Sequence, residues 1–199
     1  MKTSVIYQNA LVYESVMLVL YGRHYFSRYK AIASLIPNGA GVLDVCCGPA
    51  RIYSRYLKRK DVKYYGLDIN EGFISNLIRA GARGEIWDLR DDRDLPPADY
   101  VLMHASLYHF LPDASGVIDR MLRAARKQVI IAEPIRNLAD SNIPLLSPFA
   151  RRQTDPGIGK QPARFTEITL DRLMSRYTSR LNQSFLIPGG REKVFVLNV

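Results

Sequence analysis

The stretch that decides the fold runs from Gly41 to Arg51 and reads GVLDVCCGPAR. An apolar segment carries an acid near its end, at Asp44, and is followed by small residues and then by a helical pattern. Small residues let the backbone turn tightly and let a ligand approach the main chain. A helix that starts directly after such a turn adds unpaired N–H groups and a partial positive charge. The stretch therefore predicts a strand–loop–helix cradle for a nucleotide-like ligand.

The spacing of the small residues indicates which ligand. A dinucleotide fingerprint would need glycine at 46, 48 and 51, and only Gly48 is present. The stretch resembles motif I of the class I S-adenosylmethionine-dependent methyltransferases, in which an acid precedes small residues at every second position. Here these are Asp44, Cys46, Gly48 and Ala50, so Cys46 and Ala50 replace two of the usual glycines. The resemblance implies S-adenosyl-L-methionine as cofactor, and the alternative is a plain strand-to-helix turn of another α/β domain.

Short apolar strands alternate with helical segments along the chain, which predicts a parallel sheet with helices on both faces. Strands are expected at 42–45, 62–69, 84–88, 99–103 and 128–132, with helices at 51–60, 71–80, 116–125 and 166–177. A Pro-Gly-Gly turn at 188–190 joins two further strands into an antiparallel hairpin. The resemblance spans about residues 38–199 and implies the α/β, Rossmann-like, doubly wound seven-stranded sheet with order 3-2-1-4-5-7-6 and strand 7 antiparallel.

The remaining parts of the chain are predicted to complete a single domain of residues 1–199. Residues 9–36 are helical in pattern, and residues 1–36 are expected to form an N-terminal cap. Residues 135–165 contain four prolines and two further glycines between 144 and 162. Because long loops in compact domains are usually functional or mobile, we expect a substrate-side insertion or lid there.

Composition narrows the class of protein. Hydrophobic residues make up 47% and charged residues 24%, as in ordinary globular proteins. No apolar run reaches the roughly 18 residues of a membrane span, and no cleavable signal pattern is present, so we expect a cytoplasmic location. The two cysteines are adjacent, which suits neither a disulfide framework nor a metal site, and no metal is expected. The net charge of +9 suits nucleic acid, anionic lipid or an acidic small molecule, or simply a well-solvated surface.

Polar residues at the carboxyl ends of the first three strands are candidate cofactor ligands, since ligands of open α/β sheets lie beyond these ends. The resemblance assigns the two ribose hydroxyls to Asp68, which lies in the sequence Gly66-Leu67-Asp68-Ile69. Asp88 is the candidate acceptor for the adenine amino group, and the Trp87 ring suits either adenine stacking or core packing. The complete predicted cofactor set is Asp44, Cys46, Gly48, Ala50, Asp68, Ile69, Trp87, Asp88, Leu89 and His104.

The fourth strand is followed by the stretch Met103 to Phe110, MHASLYHF, which the resemblance places beside the methionine half of the cofactor. His104 is the first candidate for a general base, and His109 and Tyr108 follow, with a purely structural role open for both histidines. The predicted substrate residues are Tyr7, Tyr13, Glu133, Arg151 and Arg152. Together they would suit an anionic or amphiphilic acceptor.

These features predict an S-adenosylmethionine-dependent methyltransferase that acts on an O or N nucleophile of a small-molecule acceptor by in-line displacement. An RNA-modifying methyltransferase is the alternative that the basic ends suggest. A third interpretation is a cofactor-binding protein without transfer activity, in which the smaller number of glycines in motif I would reflect lost catalysis. DNA as target is not favoured, because the chain lacks the Asn/Asp-Pro-Pro-aromatic tetrad and the Pro-Cys nucleophile of DNA methyltransferases.

Overall fold

The computed structural model describes residues 22–136 and 164–199. Seven strands form one sheet in the order β3-β2-β1-β4-β5-β7-β6. The four pairings among β1 to β5 are parallel, and β7 runs antiparallel to both β5 and β6. The predicted fold class is therefore confirmed. The strands are β1 (Gly41–Val45), β2 (Lys63–Asp68), β3 (Arg83–Ile86), β4 (Ala98–His104), β5 (Ala125–Pro134), β6 (Leu181–Leu186) and β7 (Glu192–Asn198).

Helices cover both faces of this sheet and enclose two apolar cores. The helices are α1 (Tyr25–Ser34), α2 (Arg51–Arg55), α3 (Glu71–Arg79), α4 (Ala114–Ala124) and α5 (Glu167–Met174). On one face α4 and α5 pack against the sheet, and on the other α1, α2 and α3 do so. Successive residues of β4 alternate between the two cores, with Val101 and Met103 in the first and Tyr100 and Leu102 in the second. Burial on both faces explains why this strand is continuously apolar.

Polar side chains cap three of the helices that begin at the carboxyl edge of the sheet. Asn70 accepts a hydrogen bond from the N–H of Phe73 at the start of α3, and Asp113 accepts one from Gly116 at the start of α4. Thr166 and Thr169 form a reciprocal capping box at the start of α5. These caps fix where each helix begins, and so they fix the loops that surround the carboxyl edge.

Two predicted segments change conformation partway along in the structure. The predicted helix 51–60 divides into α2 and a 3₁₀ helix, Leu57–Lys60, because Tyr56 has non-helical dihedrals. The stretch after the fourth strand leaves the sheet at Ala105, which has a left-handed φ of 55°, and continues as a 3₁₀ helix, Leu107–Phe110. Both changes depend on local backbone conformations that apolar periodicity does not encode.

Both ends of the predicted substrate-side insertion pack into the protein. Ile135 and Phe165 are buried in the core beneath α4 and α5. Residues 137–163 lie outside the described ranges, as do residues 1–21. The candidates Tyr7, Tyr13, Arg151 and Arg152 therefore fall outside the described residues, and the cap, the lid and the single-domain division stay predictions. No helix in the described ranges is both long enough and apolar enough to cross a membrane.

Candidate functional site

The loop after β1 adopts left-handed backbone conformations at alternate residues. Cys46, Gly48 and Ala50 have φ values of 58°, 54° and 48°. These are the three positions that motif I reserves for small residues. The alternation folds the loop tightly over the end of β1, and α2 begins directly after Ala50. The loop is thus fixed by backbone geometry that glycine adopts freely and other residues adopt at a cost of about 1–2 kcal/mol.

Asp68, at the end of β2, holds this loop in place. One carboxylate oxygen accepts a hydrogen bond of 2.8 Å from the N–H of Gly48, and the other accepts one of 2.8 Å from the N–H of Asn70. Burial raises the pKa of Asp68, and the two backbone hydrogen bonds oppose that effect. Each carboxylate oxygen has a second lone pair, so Asp68 retains the capacity to accept hydrogen bonds from a pair of hydroxyls.

The carboxyl edge of the sheet has the features of a ligand site. A Cβ atom built on Gly48 would meet no atom within 4 Å, so open space lies against the main chain there. Three buried polar atoms near this edge have no hydrogen-bond partner among the described residues, namely Asp44 Oδ1, Trp87 Nε1 and Glu133 Oε2. Buried polar groups are normally paired, so these atoms indicate a missing polar partner. The residues present therefore fit a nucleoside bearing an amino-acid side chain.

Residues around β3 line the side predicted to take the adenine base. The side chain of Ile69 is 57% exposed beside Asp68, which is unusual for a large aliphatic residue in the middle of a site. Asp88 accepts hydrogen bonds of 3.0 Å from both the backbone and the side chain of Arg90. Trp87 is buried in the core, and the guanidinium of Arg93 lies 3.4 Å from its ring centroid. The geometry therefore favours the core-packing interpretation of the Trp87 ring.

Beneath the cradle the loop's acid is buried and its two cysteines are partly buried. Asp44 accepts a hydrogen bond of 2.5 Å from the hydroxyl of Tyr64, and burial raises the pKa of Asp44 to about 7. Cys46 contacts the core under α4 and Cys47 the core under α1. Burial, followed by the nearby carboxylates, raises the pKa of both thiols, so neither is a thiolate nucleophile.

His104 belongs to a buried charged cluster with α1 and β7. Arg28 Nη2 lies 2.9 Å from His104 Nε2, and Glu192 Oε2 lies 3.1 Å from the same nitrogen. Arg28 and Glu192 form an ion pair of 2.6 Å that is almost fully buried. Burial and then the charge of Arg28 lower the pKa of His104. His104 is therefore neutral near pH 7, and its Nε2 atom is engaged by two side chains.

The 3₁₀ helix after β4 carries the other two catalytic candidates. Tyr108 is 4% exposed and belongs to the core, with its ring 4.0 Å from the His109 ring. The guanidinium of Arg164 lies 3.5 Å from the centroid of the Tyr108 ring. Burial lowers the pKa of His109 to about 4, with smaller effects from Arg164 and Arg90. His109 is therefore a neutral imidazole near pH 7, whereas Tyr108 supports its neighbours from within the core.

Glu133, at the end of β5, fixes the start of that 3₁₀ helix. Its Oε1 atom accepts hydrogen bonds of 2.7 Å and 2.6 Å from the N–H groups of Ser106 and Leu107. The side chain is fully buried, and burial raises its pKa to about 8 against the lowering effect of these two bonds. The structure thus gives this predicted substrate residue a positioning role through Oε1, while Oε2 is buried without a hydrogen-bond partner among the described residues.

Sequence reasoning did not single out Arg28, Glu192 or Arg164. Arg28 and Glu192 are 164 positions apart and meet only through the packing of α1 on β7. Arg164 precedes the buried Phe165 and the capping residue Thr166, and this order is the one local signal that its place is fixed.

Similar folds occur in solved methyltransferase structures. Magnesium protoporphyrin IX methyltransferase (ChlM) from Synechocystis PCC 6803 with bound SAH has a TM-score of 0.64 at 13% identity, covering 88% of this chain and 83% of that one. A TehB-like SAM-dependent methyltransferase from Corynebacterium glutamicum has a TM-score of 0.61 at 18% identity, covering 94% and 95%. A chain in the complex of the Haloferax volcanii Trm112 methyltransferase activator with the putative methyltransferase has a TM-score of 0.69 at 12% identity, covering 100% and 99%.

These likenesses confirm the class I S-adenosylmethionine-dependent methyltransferase fold. No curated protein sequence matches the chain significantly. The family model of the methionine biosynthesis protein MetW matches residues 27–142, which is more than half of the chain. That stretch contains the cradle, Asp68, His104 and Glu133. The chain belongs to the MetW family.

Proposed function

We propose that this protein is an S-adenosylmethionine-dependent methyltransferase that transfers a methyl group to an O or N nucleophile of a small-molecule acceptor. The observation that carries the proposal is the left-handed loop at Cys46, Gly48 and Ala50, which leaves open space against Gly48 and is tied to the Asp68 carboxylate. A tight loop, an acid that suits a ribose and a helix start form one cradle for an adenosyl ligand.

Each part of the cradle has a binding role that follows from its chemistry. Asp68 accepts hydrogen bonds from the ribose hydroxyls, and the exposed Ile69 side chain covers one face of the base. Asp88 accepts from the adenine amino group. Asp44 Oδ1, buried and without a described partner, suits the ammonium group of the methionine half. When bound, S-adenosylmethionine supplies a methyl group on a sulfonium, which is electrophilic without a metal.

The protein's contribution to the reaction is to align the acceptor and, for a hydroxyl or ammonium acceptor, to take its proton. His109 is better placed than His104 for that second task. Arg28 and Glu192 occupy His104 Nε2, whereas the His109 side chain makes no hydrogen bond to a described residue. Both imidazoles are neutral near pH 7, so His109 is in the protonation state that a base requires.

A small acceptor is supported over RNA by what the basic side chains contact. Lys60 donates to the carbonyls of Ala33 and Ile36 at the end of α1, with distances of 2.7 Å and 2.6 Å. Lys58 donates to the carbonyl of Ala80 after α3, at 2.9 Å. Lysines that satisfy helix C-termini contribute to the fold rather than to a phosphate-binding patch. Part of the positive charge therefore has a structural cause.

A thermodynamic cycle of two protein variants and two ligands tests the proposed role of Asp68 in cofactor binding. Isothermal titration measures the affinity of wild type and Asp68→Ala for S-adenosylhomocysteine and for its 2′-deoxy analogue. We expect Asp68→Ala to weaken binding of the full ligand by about 1–3 kcal/mol, the usual loss for charge-assisted hydrogen bonds. Removing the 2′-hydroxyl should weaken binding to wild type and have little further effect on Asp68→Ala.

The ligand change separates ribose binding from the loop-holding role of Asp68. If Asp68 acted only through its bonds to Gly48 and Asn70, both proteins would lose the same affinity on removal of the hydroxyl. The exposed Asp92→Asn, in the loop after β3, is the matched control and should bind both ligands as wild type does. Absence of binding to wild type would overturn the proposed function.

A further inference from the structure

Arg164 is held in a fixed place beside the proposed site. The guanidinium carbon of Arg164 lies over the Tyr108 ring, 3.5 Å from its centroid, which is a close cation–π contact. Phe165, the next residue, is 2% exposed in the core, and Thr166 caps α5. Tyr108 is itself buried on the 3₁₀ helix that Glu133 positions. Arg164 is therefore held by the Tyr108 ring through its side chain and by the buried Phe165 and the capped start of α5 through the chain that follows it.

Three other cations near this end of the sheet have carboxylate partners among the described residues. Arg28 pairs with Glu192 at 2.6 Å, and Arg90 pairs with Asp88 at 3.0 Å. Lys193 pairs with both Glu167 and Asp171, at 3.0 Å and 2.8 Å. Within residues 22–136 and 164–199, Arg164 has no carboxylate oxygen within 4.0 Å, and its recorded partner is an uncharged ring. Its positive charge is thus not neutralised by the described part of the protein.

The surroundings of Arg164 belong to the acceptor side of the cradle. Its charge acts on His109, the proposed base, and on Glu133, whose Oε2 atom is buried without a described partner. Glu133 also acts electrostatically on Cys46 of the cradle loop. Arg164 thus lies over the ring of Tyr108, whose neighbour His109 is on the same 3₁₀ helix, and Glu133 holds the start of that helix.

We propose that Arg164 binds an oxyanion group, a carboxylate or a phosphate, on the methyl acceptor. A guanidinium that stacks on a ring keeps its N–H edge available, and that edge matches the two oxygens of such a group. The apolar body of the acceptor then lies along Tyr108 and His109. The inference rests on the proposed function, which it deepens by naming the acceptor as an anionic small molecule.

Binding of fluorinated probes tests the inference without knowledge of the acceptor. ¹⁹F NMR titrations of the full chain, with and without S-adenosylhomocysteine, use 4-fluorobenzoate, 4-fluorophenyl phosphate and the neutral 4-fluorobenzamide. Wild type should bind at least one of the two anions more tightly than the amide, and the two anions distinguish a carboxylate site from a phosphate site. Arg164→Gln should weaken binding of the preferred anion at least tenfold and leave the amide unchanged.

Two further variants sharpen the comparison. Arg164→Lys keeps the charge and loses the planar fork, so its preference for the anion should shrink without vanishing. Arg180→Gln is the control, because it makes the same change in net charge at an exposed residue away from the site. Arg180 directly precedes Leu181, whose partner in β7 is Leu197, whereas Glu133 pairs with Lys193 at the other end of β7. Arg180→Gln should bind every probe as wild type does.

Each result has a definite meaning for the inference. It is overturned if wild type does not prefer either anion over the amide, or if the preference is unchanged in Arg164→Gln and Arg164→Lys. A separate titration of wild type with S-adenosylhomocysteine judges the proposed function. Loss of that binding alone would refute the methyltransferase proposal while leaving an anion site at Arg164 established by its probes.

Discussion

Gly48 offers a sharp test of the cradle, because its φ of 54° and the open space beside it have separable effects. Gly48→Ala introduces a methyl group that meets no protein atom within 4 Å. The cost to stability therefore comes only from the left-handed backbone, which costs about 1–2 kcal/mol for alanine. This cost is partly offset because alanine lowers the conformational entropy of the unfolded chain. The net loss of about 1 kcal/mol corresponds to a fall in Tm of about 2–4 °C for a chain of this size.

The expected effect on ligand affinity is larger than the effect on stability. The added methyl group would occupy the space in which the ligand approaches the main chain. We expect S-adenosylhomocysteine to bind Gly48→Ala at least tenfold more weakly, which is about 1.4 kcal/mol, and Gly48→Val more weakly still. Isothermal titration at a temperature well below either Tm measures this loss on folded protein.

Gly39 provides the matched control. Its φ is 72°, an added Cβ would also meet nothing within 4 Å, and it lies before β1, at the other end of that strand from the cradle. Gly39→Ala should therefore lose a similar amount of stability and bind S-adenosylhomocysteine as wild type does. Equal affinities for Gly48→Ala and Gly39→Ala would refute the argument that the open space at Gly48 is ligand space.

Two further predictions concern the buried charges. The folded-state pKa of Glu133, raised to about 8, lies above its ordinary value of 4.5, so the folded protein holds the proton more tightly and stability falls as pH rises through this interval. In Glu133→Gln the free energy of unfolding should fall less steeply with pH, by up to about 1.4 kcal/mol per pH unit. Urea unfolding at pH 5, 6.5 and 8 measures this slope, and the same slope in both proteins would contradict the prediction. Glu192→Gln should cost about 3–5 kcal/mol by leaving Arg28 without its buried partner, whereas Glu167→Gln, which removes a half-exposed partner of Lys193, should cost at most about 1 kcal/mol in the same assay.

The sheet was predictable because its signals are local and repeated. Apart from β3, whose sequence is RGEI, each strand of the parallel part contains a short run of apolar or aromatic residues, and turns or helices with recognisable starts separate these runs. The Pro-Gly-Gly turn predicts the antiparallel pairing of β6 and β7 without any knowledge of the rest of the fold. The strand order, in contrast, came from the resemblance to methyltransferases, since apolar periodicity does not specify which strands are neighbours.

The site was predictable only where one residue carries the signal by itself. Asp68 is the last residue of β2, and its carboxylate accepts a hydrogen bond from Gly48 in the cradle loop, while its role toward a ribose stays a prediction. The pairing of His104 with Arg28 and Glu192 depends on three distant segments, so no local pattern contains it. The same holds for Arg164, whose stacking on Tyr108 joins residues 56 positions apart.

The two missing glycines of motif I have a physical explanation in the directions of their side chains. All three small positions are left-handed, so Cys46 and Ala50 carry a backbone cost that glycine would avoid. Ala50 is 3% exposed in the core under α1, and Cys46 contacts the core under α4. Burial of each side-chain carbon contributes about 0.8 kcal/mol, which offsets part of the cost of the left-handed backbone. Gly48 alone among the three would direct a Cβ into open space. The loop thus has side chains at the two positions where they pack against the protein interior. It has glycine at the position where a side chain would enter the space of the proposed ligand.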